Sequence, residues 1–176
     1  GYRRVQNAGV RRTLVCPDGC QRPREELNSV SMRIALGADH AGFHLKDSLK
    51  RTLDDLGVTY QDFGTASAES VDYPDFARAV AAGVASGQFE RGILVCGTGV
   101  GMAIAANKVP GVRAAPIVDT DTAKLAREHN DLNVLTLGAR VTPEARAREI
   151  VKAFIETPFA GGRHGNRVQK IHEIER

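Results

Sequence analysis

The chain has 176 residues, of which 42% are hydrophobic and 26% are charged, which is long enough for one sizeable core and short for two domains. No apolar run reaches the length that crosses a bilayer, so the composition excludes a transmembrane segment. The formal net charge of +3 arises in residues 1–31, which hold 6 Lys and Arg against 3 Asp and Glu. Residues 32–176 hold 18 Lys and Arg and 18 Asp and Glu. The folded part therefore has no excess of positive charge, which was the main argument for nucleic-acid binding.

The first 31 residues differ in character from the rest of the chain. They show no sustained helical or strand period and no apolar segment of a secretory signal, so we interpret residues 1–31 as an extension outside the folded domain of residues 32–176. Cys16 and Cys20 have the spacing of half a zinc site, but no second Cys or His pair lies nearby, and we expect no metal. Only Cys96 remains in the domain, which excludes an internal disulfide and suits a reducing cytoplasm.

From Met32 onward, strand and helix patterns alternate. Short apolar runs predict strands over 32–37, 58–63, 92–96, 112–118 and 133–138, although Pro116 cannot donate a ladder hydrogen bond. Apolar residues at helical spacing predict six helices. The first ends at Leu56, the second spans 73–86, the third begins near Gly99, the fourth spans 119–128, the fifth follows a Thr142 cap, and the sixth spans 166–175. Strands separated by helices pair in parallel through right-handed crossovers. We therefore predict an α/β fold, a three-layer α/β/α sandwich with a five-stranded parallel sheet.

The segment from Gly92 to Gly101 is a buried strand pattern that runs into a glycine-rich turn, with Cys96 where the strand ends. Small apolar residues follow it and predict a buried helix. In a strand–turn–helix of this kind, backbone N–H groups converge on an anion at the start of the helix. The positive potential there favours the thiolate form of a cysteine. The segment could therefore hold an anionic intermediate beside a base.

Other interpretations of this segment stay open. A cysteine at the end of a buried strand is commonly a small core hydrophobe. The glycines at 97, 99 and 101 miss the dinucleotide-binding spacing G-x-G-x-x-G by one residue, although Asp119 lies where a ribose-binding acid would. Position 102 is Met, which is neither the arginine of a cysteine-based phosphatase loop nor the lysine of a Walker loop.

Polar residues follow three of the predicted strands, and ligands of open parallel sheets gather at the carboxyl ends of the strands. The polar segments at the ends of these strands are Asp39-His40, Cys96-Gly97-Thr98 and Arg140. Two further groups lie in turns that could reach the same edge: Asp72-Tyr73 and His129-Asn130. Arg163, His164 and Arg167 follow a glycine pair and could bring positive charge onto a ligand. Taken singly, each has a structural explanation, such as a helix cap for His40 or a surface ion pair for Arg140.

Six motifs occur in one order along the chain: Gly37-Ala38-Asp39-His40-Ala41-Gly42, Asp72-Tyr73-Pro74, Cys96-Gly97-Thr98-Gly99-Val100-Gly101, Ala105-Ala106-Asn107-Lys108, His129-Asn130-Asp131 and Gly161-Gly162-Arg163-His164. On these motifs residues 32–176 strongly resemble the ribose-5-phosphate isomerase B family, which includes galactose-6-phosphate and allose-6-phosphate isomerases. The resemblance implies a Rossmann-like fold and aldose–ketose isomerisation of a phosphorylated sugar without metal or cofactor. It also implies a homodimer or homotetramer whose active sites lie between subunits.

The resemblance implies a role for individual residues as well. Cys96 would be the base, Thr98 would exchange protons with the substrate oxygens, and His129 would open the sugar ring. The backbone of the turn would hold the enediolate through Gly97, Gly99, Val100 and Gly101. Sugar hydroxyls and the phosphate would be bound by Asp39, Asn130, His40, Arg140, Arg163 and Arg167, with the last two from the neighbouring subunit and Tyr73 lining the pocket. Some members carry the base on a glutamate beyond the glycine loop, but no acid lies there in this chain, which places it in the thiol-base branch.

The identity of the sugar stays open in this resemblance. Ribose 5-phosphate to ribulose 5-phosphate is the default expectation, and a hexose 6-phosphate or a tetrose 4-phosphate is the alternative. A non-catalytic sugar-phosphate or nucleotide-binding module on the same fold is a more distant alternative, because a fold does not determine function. The presence of both Cys96 and His129 argues against it, since a binding module needs neither.

Overall fold

The structure is a computed structural model that describes residues 32–175, so the interpretation of residues 1–31 and of Cys16 and Cys20 lies outside the described residues. The strands are β1 (Arg33–Ala38), β2 (Thr59–Asp62), β3 (Arg91–Cys96), β4 (Ala114–Pro116) and β5 (Val134–Gly138). The helices are α1 (Phe43–Asp55), α2 (Tyr73–Ala85), α3 (Val100–Ala106), α4 (Thr120–Asn130), α5 (Glu144–Glu156) and α6 (Arg163–Ile174).

The strands form one five-stranded sheet in the order β2-β1-β3-β5-β4. Every neighbouring pair is parallel. Strands of a parallel sheet must be joined by crossovers, and here each crossover carries a helix. The predicted α/β architecture is therefore confirmed. No helix between residues 32 and 175 is long and apolar enough to cross a membrane.

Two hydrophobic clusters cover the two faces of the sheet, because alternate strand residues point to opposite sides. Helices α1, α4 and α5 pack on the face that receives Ile34, Leu36 and Leu135. Helices α2 and α3 pack on the face that receives Ala35 and Leu94. The core thus consists of three layers, and α6 packs outside them against α4.

Several element boundaries differ from the predicted ones by one or two residues, and three differences concern β4 and the starts of α5 and α6. Strand β4 has three residues and ends at Pro116, although the N–H of the next residue, Ile117, still donates to the Thr136 carbonyl of β5 at 3.1 Å. Helix α5 begins after Pro143, and Thr142 does not cap it: its buried Oγ1 has no hydrogen-bond partner in the described part of the chain. Helix α6 begins at Arg163, three residues earlier than predicted, because Gly162 directly precedes it in a positive-φ conformation (φ 54°) that ends the preceding segment.

Candidate active site

The glycine turn after β3 brings the backbone N–H of Gly99 towards the sulfur of Cys96. Gly99 adopts φ 81°, a left-handed conformation that favours glycine, and α3 begins at the next residue. Its N–H donates a hydrogen bond to Cys96 Sγ at 3.1 Å. Its carbonyl accepts a hydrogen bond from the Thr136 hydroxyl at 2.8 Å, which fixes the turn to β5. A donor aimed at the sulfur stabilises negative charge there.

Cys96 is also part of the core. The residue is 5% exposed and belongs to the cluster on the α2 and α3 face of the sheet, together with Leu94 and Met102. An apolar filler needs no hydrogen-bond donor, yet the sulfur accepts one from Gly99. The structure therefore places the thiol at the boundary between the core and the turn, where one side of the sulfur is in contact with a polar backbone.

Asp39 and His40 follow β1 directly, next to the end of β3. The Asp39 N–H donates to the Val95 carbonyl at 3.1 Å. Its carboxylate accepts from the Gly42 N–H at 3.0 Å, so the buried acid is held in one orientation. His40 caps no helix; its Nδ1 accepts from the Val71 N–H at 3.3 Å. Because an accepting Nδ1 carries no proton, the neutral ring has its N–H on Nε2, available to a ligand.

A cation and a phenol border the outer side of the glycine turn. The Arg140 N–H donates to the Gly97 carbonyl at 3.0 Å. Its side chain lies over Gly97, where an added Cβ would be 3.5 Å from the guanidinium carbon. Tyr73, the first residue of α2, lies against Gly101 so closely that a Cβ there would be 2.8 Å from the ring. The exposed Thr98 hydroxyl accepts from the Val100 N–H at 3.4 Å.

These residues form one group, which we call the cysteine half-site. It lies at the carboxyl edge of the sheet, because its members follow β1, β3 and β5 or begin α2 and α3. The structure thus brings together the ten predicted site residues Asp39, His40, Tyr73, Cys96, Gly97, Thr98, Gly99, Val100, Gly101 and Arg140.

The remaining four predicted residues lie elsewhere in the chain, and we call them the histidine half-site: His129, Asn130, Arg163 and Arg167. His129 and Asn130 are the last two residues of α4, which has 11 residues and so spans about 16 Å. Helix α4 starts after β4 at the carboxyl edge and returns to the amino edge, where β5 begins. Within one chain these turns therefore do not reach the edge that carries Cys96, contrary to the expectation from sequence.

Helix α6 completes the histidine half-site. The rings of His129 and His164 are stacked, with centroids 4.2 Å apart and planes 5° apart. Burial lowers the pKa of His164, and the neighbouring His129, Arg163 and Arg167 lower it further, against an opposite effect of Glu128. Arg163 and Arg167 are one helical turn apart and exposed. The end of α4 thus meets a cationic face of α6.

Three arginines of the predicted site are free to bind an anion. The ion pairs made by arginine between residues 32 and 175 involve Arg113, Arg127 and Arg148. The guanidinium groups of Arg140, Arg163 and Arg167 take part in none of the ion pairs within this range. Guanidinium groups pair well with phosphate oxygens, which they meet with two parallel hydrogen bonds.

The dinucleotide interpretation of Asp119 does not hold. Its carboxylate caps α4 and accepts hydrogen bonds from the Thr122 N–H at 2.7 Å and from the Thr122 hydroxyl at 2.8 Å. Both oxygens are thus engaged within the helix cap, and the pKa of Asp119 is lowered by these bonds. In the described range, no group of three or more His, Cys, Asp or Glu side chains is arranged to hold a metal ion.

Sequence reasoning missed three residues that support the site. Thr136 holds the glycine turn, and Lys46 holds the loop between β2 and α2 by donating to the Thr65 carbonyl at 2.7 Å. Sequence reasoning grouped His164 with Arg163 and Arg167 as a source of positive charge and missed its contact with His129. The signal for the first two was available, because each is a polar residue at a buried position of an apolar element.

Comparisons with known proteins identify the family of this chain. The sequence model of the Ribose/Galactose Isomerase family matches residues 34–171. Ribose-5-phosphate isomerase B of Escherichia coli is 48% identical over 143 residues, covering 81% of this chain and 96% of that protein. D-erythrulose-4-phosphate isomerase of Pectobacterium atrosepticum is 43% identical over 145 residues, covering 82% and 95%.

A solved structure extends the comparison to three dimensions. The structure of Clostridium thermocellum ribose-5-phosphate isomerase B superimposes with a TM-score of 0.80 at 51% identity, covering 82% of this chain and 97% of that one. The family match spans most of the chain and includes both half-sites, and the relatives are matched over nearly their whole length. The chain belongs to the Ribose/Galactose Isomerase family.

Proposed function

We propose that this protein interconverts ribose 5-phosphate and ribulose 5-phosphate through a cis-enediolate, with Cys96 as the base. The observation that carries the proposal is the thiol of Cys96 at the mouth of the glycine turn, in a chain of this family. The relatives named as ribose-5-phosphate isomerase B support this substrate.

The chemistry needs one proton to move between two carbons and another between two oxygens. The Cys96 thiolate takes the proton from C2 of the open-chain aldose, and the electron pair left behind forms the C1–C2 double bond of the enediolate. The thiol then returns a proton to C1, which gives the ketose. The Thr98 hydroxyl, exposed beside the turn, moves the second proton from O2 to O1. No electrons enter or leave, so the reaction needs no oxidant or reductant.

The glycine turn supplies stabilisation of the charge that develops on the oxygens. Backbone N–H groups of the segment from Gly97 to Gly101 would donate to the enediolate oxygens in this proposal, and α3 starts within this segment. Fixed donors of this kind stabilise an oxyanion without having to reorganise. The Gly99 N–H donates a hydrogen bond to the sulfur and so stabilises negative charge that develops on it.

The phosphate is bound by hydrogen-bond donors from both half-sites in this proposal. His40 and Arg140 lie beside the glycine turn, and Asp39 orients the sugar hydroxyls. Arg163 and Arg167, which have no ion-pair partner between residues 32 and 175, come from a second copy of the chain.

The separation of the half-sites supports a homodimer, or a homotetramer made of such dimers. His129 lies at the amino edge of the sheet and Cys96 at the carboxyl edge, so both reach one sugar only if two chains meet. The cysteine half-site is bordered by exposed apolar side chains, Val100, Ile104 and Val141, each about half exposed. Apolar surface around a site is typical of an interface with another protein.

His129 would open the sugar ring. Ribose 5-phosphate is a cyclic hemiacetal, whereas ribulose 5-phosphate cannot close a five-membered ring because its O5 carries the phosphate. Ring opening moves one proton from the O1 hydroxyl and one onto the ring oxygen. An imidazole is suited to this transfer because its ordinary titration range lies near neutral pH. Asn130 would orient a hydroxyl beside it.

The proposal is tested with Cys96→Ala. We expect kcat for ribose 5-phosphate to fall by about 10³-fold or more, since the general base is gone, while ribulose 5-phosphate still raises the melting temperature of the variant. Exchange of deuterium from solvent into C1 of ribulose 5-phosphate should stop as well. Turnover close to that of the wild type would reject Cys96 as the base.

A tetrose 4-phosphate is the second candidate substrate. It is favoured by the 43% identity to a D-erythrulose-4-phosphate isomerase. A panel of tetrose, pentose and hexose phosphates, each assayed for interconversion with and without a chelator, decides between these substrates. Failure of the whole panel, with stabilisation by NAD or AMP instead, would indicate a nucleotide-binding module. Because Cys96 must stay a free thiol, we also propose a reducing, cytoplasmic location.

A further inference from the structure

The stacking of His129 on His164 has no role in the chemistry described so far, and His164 takes no part in that chemistry. Their ring centroids are 4.2 Å apart and their planes differ by 5°, so the two imidazoles lie face to face. His129 is half-buried at the end of α4, whereas His164 is buried at 8% exposure in the first turn of α6. The buried ring therefore forms a wall against which the more accessible ring rests.

His164 is held firmly from its own side. Its backbone N–H donates to the Gly161 carbonyl at 3.0 Å, and Val168, one turn later, is buried on the same helix. The Ala160 N–H donates to the Glu128 carbonyl at 3.1 Å, which ties the segment before α6 to the residue before His129. The stacking distance is thus set by backbone contacts on both helices.

The Nδ1 atom of His164 is buried and has no hydrogen-bond partner in the described residues. A buried polar atom without a partner costs stability. A leucine would fill the same space without that cost, but it offers no flat ring face. A flat ring at this position is therefore explained by its contact with the ring of His129.

We propose that His164 is a positioning residue that holds the His129 imidazole in the orientation needed for ring opening. This inference rests on the proposed function, because it assumes that His129 moves protons of the sugar. His164 touches no substrate in this proposal and acts through its ring face alone.

The charge state of the His164 ring fits this role. Burial lowers the pKa of His164, and it is lowered further by His129 on α4 and by Arg163 and Arg167 on α6, with Glu128 on α4 acting in the opposite direction. His164 therefore stays neutral near pH 7, when His129 gains a proton during ring opening. A neutral aromatic face stabilises a cation resting on it, whereas a second imidazolium would repel it.

The test compares His164→Ala with His164→Phe in the full-length enzyme. His164→Ala removes the wall, and we expect kcat for ribose 5-phosphate to fall by about tenfold or more, with KM changed by less than about twofold. Deuterium exchange into C1 of ribulose 5-phosphate should stay within about twofold of the wild type, because this open-chain sugar needs Cys96 but no ring opening. His164→Phe keeps a flat face and should restore kcat to within about threefold of the wild type.

Val168→Ala is the matched control. It shortens a buried side chain on the same face of α6 and leaves the ring stack intact. We expect it to lower the melting temperature without a selective loss on ribose 5-phosphate. Nuclear magnetic resonance adds a readout that needs no turnover: the His129 ring protons should move when the ring of His164 is removed and return towards their wild-type position with phenylalanine.

Three results would overturn the inference: wild-type kcat in His164→Ala, equal losses in turnover and in deuterium exchange, or a folded His164→Phe as slow as His164→Ala. A wild-type enzyme inactive on all sugar phosphates would instead reject the proposed function. In that case the resonance shift of His129 still decides whether His164 holds it.

Discussion

Lys46 is a buried charge whose three ammonium protons all have acceptors. Its Nζ donates to both Asp62 oxygens at 2.8 Å and to the Thr65 carbonyl at 2.7 Å, at 1% exposure. Burial raises the pKa of Asp62, but the hydrogen bonds from Lys46, Lys50 and the Gly64 N–H outweigh it, so the pKa is lowered overall. Lys46 thereby ties α1 to the loop that leads to Tyr73.

Lys46→Met tests this tie. The methionine fills the space but leaves Asp62 and the Thr65 carbonyl without a buried donor, and we expect the free energy of unfolding in urea to fall by about 2 kcal/mol. Lys50→Met is the control, because Lys50 binds the same Asp62 at 2.7 Å from a partly exposed position and should cost less than about 1 kcal/mol. An equal fall in the free energy of unfolding in the two variants would contradict the view that the buried Lys46 contributes more than the partly exposed Lys50.

The position of a residue in the fold was predictable where that residue ends or follows a strand, and its contacts with distant residues were not. Asp39, Cys96 and Arg140 lie at the carboxyl edge of the sheet as expected, where ligands of parallel sheets bind, and their roles stay predictions. Lys46 and Thr136 were missed because their partners are distant in sequence: Lys46 meets Thr65, and Thr136 meets Gly99. Only the folded chain reveals such pairs.

At the scale of the element, the glycine turn between β3 and α3 combines an unusual backbone with a close approach. Gly99 adopts φ 81°, and an added Cβ would lie 3.1 Å from the Leu137 carbonyl carbon. Its N–H and carbonyl are both engaged, with Cys96 and Thr136. A side chain at Gly99 would therefore strain the backbone and displace the donor that faces the sulfur.

Gly99→Ala should lower kcat by about tenfold or more through this displacement and lower stability by about 1 kcal/mol through the left-handed backbone. Gly87→Ala is a matched control, because Gly87 has φ 75° and an added Cβ would meet no atom within 4 Å. It should lower stability by a similar amount in urea unfolding and leave kcat unchanged. Unchanged turnover in Gly99→Ala would show that the turn tolerates the shift.

Element types were predictable because strand and helix periods are local, whereas some boundaries depend on backbone details. Thr142 has the side chain of a helix cap, yet Pro143 takes the capping position and the Thr142 hydroxyl turns into the interior. The glycine pair before α6 signalled a break, but not that the helix starts immediately at Arg163. Terminal turns are set by tertiary contacts, which a local pattern does not contain.

At the scale of the whole molecule, the two half-sites lie at opposite edges of one sheet. Helix α4 begins near the end of β4 and carries His129 back to the edge where β5 starts. From sequence, a helix end and a strand end both qualify as site positions. Which edge a helix end reaches depends on the direction of the helix, and the strand order β2-β1-β3-β5-β4 was not predictable either.

Shared active sites predict complementation between two inactive variants. Cys96→Ala and His129→Asn chains, co-expressed in equal amounts, form hybrid dimers in half of the cases. A hybrid dimer has two shared sites: one carries both substitutions, and the other combines an intact cysteine half-site with an intact histidine half-site. One intact site in half of the dimers should restore activity on ribose 5-phosphate to about a quarter of the wild type. Each variant expressed alone provides the control. Absence of recovery in a verified hybrid would indicate that both half-sites act within one chain.

The sheet ends on both sides in its shortest strands, β2 with four residues and β4 with three. Pro116 removes one donor from the outer row of β4, so little unpaired backbone is left for a strand from another molecule. Stacking of chains into a continuous ribbon is thereby discouraged even at high protein concentration. Any partner copy must instead dock through side chains, and such contacts can be selected for shape and charge, as the proposed sharing of the site between two chains would require.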